Sequence, residues 1–92
     1  MSMKRPTHQT AHSLQQLLDF LCKLESLKLH FVLEHNRAEA VMVLIAVPGE
    51  RWEIEFFADG SIEVEIFDGS GGVLSGTEAH VAVERLLTVH GD

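Results

Sequence analysis

Arg51-Trp-Glu-Ile-Glu-Phe-Phe57, followed by Ala58-Asp59-Gly60 and then Ser61-Ile-Glu-Val-Glu-Ile-Phe67, is the stretch that decides the fold. On both sides of the turn residues, apolar and acidic side chains alternate with a period of two, the pattern of a strand with one dry face and one wet face. Trp52, Ile54 and Phe56 must therefore share a face with Ile62, Val64 and Ile66. A two-residue Asp59-Gly60 loop would set Phe56 against Glu63 and mix the faces. A three-residue Ala58-Asp59-Gly60 loop sets Phe56 against Ile62, Ile54 against Val64 and Trp52 against Ile66. It also puts Gly60 where this loop needs a left-handed residue. Because register follows the apolar match, Glu53 is expected opposite Glu65, and Glu55 opposite Glu63.

Upstream of this hairpin, Pro48-Gly49 signals a turn. Ala40–Val47 is apolar on both faces and rich in β-branched residues, which predicts a central strand covered, at least in part, on both sides. Asn36–Glu39 reads as a polar turn, and Leu29–His35 alternates as a strand with one mainly wet face. Further back, Ser13 followed by Gln16 forms a capping-box pattern. Leu14, Leu17, Leu18, Leu21, Cys22 and Leu24 then recur at helical spacing, which predicts an amphipathic helix from Ser13 to Lys28. Residues 1–12 read as a flexible leader and 13–90 as a single domain.

Downstream, Asp68–Gly72 is a glycine-rich turn, Val73-Leu74 a strand remnant, and Thr77 an N-cap with Glu78 in the first turn. Ala79, Val83, Leu86, Leu87 and His90 trace the apolar stripe of a second helix, Thr77–Val89. The expected fold class is α+β, in the order α-β-β-β-β-α. An antiparallel meander of three or four strands is flanked by an N-terminal and a C-terminal helix.

Composition narrows the function classes. Ninety-two residues with 46% apolar content suit one small core, with little material left to wall a deep substrate cavity. A single cysteine, Cys22, rules out an internal disulfide and favours a reducing, cytoplasmic setting. No segment approaches the ~20 apolar residues of a membrane span, and no apolar run follows the basic residues near Met1 as a signal peptide requires. The net charge is −7, and from Leu29 onward three arginines stand against twelve acidic residues. That sign disfavours nucleic acid and anionic membranes, both of which need clustered Lys and Arg.

Few residues suggest chemistry. The acidic face of Glu53, Glu55, Glu63 and Glu65 is either a solvated face or a docking surface for a basic partner, and like charges directly across strands destabilise the ribbon that carries them. A metal or acid–base site would need a sheltered cleft that a flat ribbon does not supply. His8 and His12 are four apart. His30 and His35 point to opposite faces of one strand, so no metal site and no cofactor is read from spacing. Asp68-Gly-Ser-Gly-Gly72 lacks the lysine of a P-loop. Cys22, on the predicted apolar stripe, reads as a buried thiol, and Trp52 as a core side chain. No group combines nucleophile, base and orienting residue, so the expectation is that the chain is not an enzyme.

The segment from Leu33-Glu-His-Asn-Arg37 through Val47-Pro-Gly-Glu-Arg-Trp52 to the Asp59-Gly60 hairpin resembles a group of small bacterial α+β proteins. Some of these are similar to the immunity proteins or antitoxins of toxin systems. The likeness covers residues 13–90, and its distinctive strings are the Pro-Gly-Glu-Arg-Trp turn and the Asp-Gly hairpin. It implies a protein-interaction module acting on a basic protein partner. The alternative is a structural or housekeeping homodimer, and a small metal-binding protein or enzyme is the third reading. If both helices pack on the Trp52 face, an aliphatic row of the second strand is left among glutamates. Val41, Val43, Ile45 and Val47 are the candidate dimer-interface residues, with Met42, Leu44 and Ala46 on the other side of the strand.

Overall fold

A computed structural model of the chain describes residues 8–67 and 72–89, with side chains from Ser13 onward. The elements run α1 (His8–Ser26), β1 (Phe31–Arg37), β2 (Ala40–Val47), β3 (Glu50–Phe57), β4 (Ile62–Phe67), β5 (Val73–Ser75) and α2 (Gly76–Val89). The strands form one antiparallel sheet in the order β1-β2-β3-β4-β5. This is the expected α+β arrangement, with the Val73-Leu74 remnant completed into a fifth strand against β4. The expected Asp68–Gly72 turn falls largely on residues 68–71, outside the described residues, as does His90.

The β3–β4 hairpin adopts the three-residue register: Phe56 faces Ile62, Ile54 faces Val64 and Trp52 faces Ile66. Gly60 closes the loop at φ +90°, a conformation that costs a side-chain-bearing residue about 1–2 kcal/mol. Asp59 accepts from the Ser61 hydroxyl at 2.6 Å and from its backbone N–H at 2.9 Å. Chiefly through the hydroxyl bond, these donors hold the Asp59 carboxyl below its ordinary value.

Both helices lie on the Trp52 face. The core joins Phe20 and Leu24 of α1, Ala79, Ala82 and Leu86 of α2, and Val43, Ile45, Trp52, Ile54, Phe56, Ile62 and Val64 of the sheet. The Trp52 indole is buried, and its Nε1 donates to Glu50 Oε1 at 2.9 Å, so the ring packs without stranding its polar atom.

Three local expectations are corrected. The first helix begins at His8, so Ser13 lies inside it, and it ends at Ser26. Its end is a Schellman motif: Leu29 N–H bonds Leu24 C=O and Lys28 N–H bonds Glu25 C=O, both at 3.0 Å. Leu29 has thus spent its donor on the helix, and β1 starts later than the alternation suggested. Lys28 takes the left-handed position at φ 61°, where glycine is usual.

The helix is also rotated from the predicted stripe. Phe20 and Leu24 are buried, and the Phe20 ring meets Phe56 at 5.3 Å between centroids. Leu14 and Leu18 are instead exposed, and so is Cys22, which is not the buried thiol expected. Leu17, Leu21 and Leu24 of the predicted stripe do pack on the core, so the stripe is shifted and not replaced, with Phe20 taking the burial expected of Leu14, Leu18 and Cys22.

Finally, β2 is an interior strand between β1 and β3, as expected, but helices do not cover both of its faces. Only one face of β2 is covered by the helices. Pairing of Ile45 with both Phe31 and Trp52 turns its odd-numbered row inward.

Candidate functional site

The face of the sheet away from the helices carries the side chains that the β3–β4 register forces outward. Cross-strand rows run over it without a break. One row reads Val32, Leu44, Glu53, Glu65, Val73, and the next reads Glu34, Met42, Glu55, Glu63, Ser75. A third sets Ala46, Arg51 and Phe67 side by side. The four expected glutamates thus sit together at the centre of this face, flanked by aliphatic residues from β1, β2 and β5.

Their surroundings differ. Glu55 is only 5% exposed, and its Oε2 lies 3.5 Å from Arg37 Nε. Arg37 reaches it because the β1–β2 register shifts between Glu34 and Arg37, re-aiming the end of the strand. Arg51 Nη2 lies 3.6 Å from Glu53 Oε2. Each guanidinium also sits over a ring, Arg37 at 5.5 Å from the Phe57 centroid and Arg51 at 4.4 Å from that of Phe67. The β3 carboxylates are therefore each neutralised by an arginine braced on an aromatic.

The β4 carboxylates are not. Glu63 and Glu65 have no ion-pair partner among the described residues, although each faces another glutamate. They border a shallow concavity of ≈ 130 Å³ that is also lined by Arg37, Met42 and Val73. Chemically this is an anionic strip between two apolar margins, suited to a cation carried on a partly apolar segment.

The dimer row placed by sequence does not reach this face. Val43 and Ile45 are 0% exposed, Val47 is buried and Val41 half-buried, all turned toward the helices. They are core. The row left among the glutamates is Met42, Leu44 and Ala46, because side chains change face with every residue along a strand. Sequence reasoning also missed the two arginine clamps. The signal available was parity alone: Arg51 shares it with Glu53 and Glu55, whereas Arg37 reaches Glu55 through a bulge that no periodicity encodes.

Histidine chemistry finds no focus here. His30, His35 and His80 are exposed, and the side chains of His8 and His12 lie outside the described residues. Among the described residues no group of three or more His, Cys, Asp or Glu side chains is arranged to hold a metal ion, and no helix is long and apolar enough to cross a membrane. No family model, no curated protein and no solved structure matches this chain.

Proposed function

We propose that this chain is a non-enzymatic interaction module whose open sheet face docks a basic segment of a partner protein, as an immunity or antitoxin-like protein does. The observation that carries the reading is the unneutralised Glu63 and Glu65 pair, each directly opposite another carboxylate. Like charges across strands lower the stability of the ribbon, and an incoming Lys or Arg reverses the sign of that contribution. The arrangement favours binding over catalysis because its charge is spread along strands instead of converging on one sheltered point. The exposed thiol of Cys22 fits a reducing, cytoplasmic setting.

Titrating the chain with a Lys/Arg-rich peptide, by fluorescence anisotropy at low salt, tests the reading. Binding is expected to weaken as salt rises, and Glu63→Gln with Glu65→Gln together to weaken it at least about tenfold. The control pair Glu78→Gln and Glu84→Gln, on α2, is expected to leave it unchanged. Equal binding by a variant with Gln at 53, 55, 63 and 65 would overturn the assignment.

A further inference from the structure

The sheet has two edges of unequal character. β5 is three residues long, whereas β1 runs for seven and leaves a row of outward-facing backbone groups along its free side. Edge strands of that length are templates for another strand, and proteins blunt them with lysine, proline or bulges. β1 is blunted only at its far end, where its register shifts between Glu34 and Arg37. Its first half, Phe31–Glu34, has neither lysine nor proline. Val32 is 51% exposed and Leu33 47% exposed, on opposite faces of the edge.

Among the described residues, α1 also presents exposed apolar side chains. Leu14 and Leu18 are 58% and 46% exposed, one turn apart on α1. Leu14 borders a groove shared with His35 of β1, so this flank of the helix looks toward the β1 edge. The opposite flank, with Asp19 and Lys23, borders Glu84 and Thr88 of α2. Leu14 and Leu18 of α1 and Val32 and Leu33 of β1 are thus exposed apolar side chains, and the β1 edge lies at the side of the sheet away from Glu63 and Glu65 of β4.

We infer that two copies of this chain pair edge to edge, β1 antiparallel to β1 about a two-fold axis, with the Leu14–Leu18 flanks of their first helices meeting over the seam. A two-fold contact uses the same patch on both copies, so the patch must complement itself. Keeping both helix layers on one side of the joined sheet restricts the pairing to registers in which a residue opposes its own counterpart. Centring on Val32 places Phe31 against Leu33 twice and His30 against Glu34 twice, matching apolar with apolar and acid with base. Centring on Leu33 sets Val32 against Glu34, and centring on Glu34 sets two carboxylates together. The Val32 register is the self-complementary one. The acidic rows of β3 and β4 stay apart, which a chain of net charge −7 requires of any self-association. The seam involves one short strand and one helix flank per copy, less than the ~800 Å² per partner of a standard interface, so the dimer is weak and concentration-dependent.

Sedimentation velocity or light scattering from micromolar to near-millimolar protein is the test. The mass is expected to rise from 10.2 kDa toward twice that value. Leu33→Lys and Leu18→Glu, both at exposed positions and checked for folding by circular dichroism, are each expected to raise the half-dimer concentration at least about tenfold. Val73→Lys, on the open face at the opposite edge of the sheet, is expected to leave it unchanged. Slower amide exchange at residues 31–34 with rising concentration locates the seam independently. A mass of 10.2 kDa at every concentration would overturn the inference. So would a dimer that ignores both seam variants, or one that yields to Val73→Lys instead.

Discussion

Replacing Glu65 with lysine tests whether the open face is held at a cost to the free protein. Glu65 lies directly across from Glu53, and the Glu55–Glu63 pair is its neighbour. Cβ atoms of directly opposed residues are about 5 Å apart, and two unit charges at that distance in a water-like dielectric interact by about 0.8 kcal/mol. Lysine exchanges that repulsion for an attraction of similar size. Arg51 already offsets part of the Glu53 charge, with Nη2 at 3.6 Å, and ordering a long side chain at a half-exposed site reduces the gain. The net is about 1 kcal/mol, which for a domain of this size raises Tm by about 4–8 °C. Reversible thermal unfolding followed by circular dichroism reads it directly. Glu65→Gln, which removes the repulsion without adding an attraction, is expected to yield about half the gain. In ~1 M salt, where the screening length falls to about 3 Å, most of the difference disappears. An unchanged Tm, or a rise of the same size in high salt, would show that the carboxylates do not burden the fold and would remove the energetic basis for a docking face.

The phase of α1 is tested by a pair of truncations. Leu24→Ala, at a position with no exposed surface, is expected to cost about 2–5 kcal/mol in urea unfolding, and Leu14→Ala to stay within about 0.5 kcal/mol; the reverse order would mean that the helix buries its other row. Lys28→Gly relieves the left-handed backbone at φ 61° and is expected to raise stability by about 1 kcal/mol at an unchanged m-value; a lower urea midpoint would contradict that account. Because the Asp59 carboxyl is held below its ordinary value by Ser61, its contribution is fully present above the ordinary carboxylate range and is lost as pH falls through the lowered value. NMR titration of Asp59 in Ser61→Ala is expected to return the carboxyl toward its ordinary value, and no movement would acquit the hydroxyl.

Local periodicity determined much of this protein by itself. Alternation through Arg51–Phe67, together with Gly60 at the required place in the loop, left one register that kept Trp52, Ile54 and Phe56 with Ile62, Val64 and Ile66. The facing glutamates followed from it. Two helices around a meander were equally legible, because helix and strand periods are properties of a single segment. What a single segment cannot say is which of two apolar sides will be buried. α1 carries both Leu14–Leu18 and Phe20–Leu24 rows, and β2 is apolar on both faces. Only the assembled molecule chose between them, by the volume of Phe20 against Phe56 and by the pairing of Ile45 with Phe31 and Trp52. That choice moved Val43, Ile45 and Val47 from a predicted interface into the core, turned the half-buried Val41 to the same side, and exposed Cys22. The difference in setting between Glu55 and Glu65 likewise came from tertiary structure, since it depends on an arginine carried in past a bulge from a strand two places away. Burial is decided between segments distant along the chain, and the pattern within each one records only which faces are eligible.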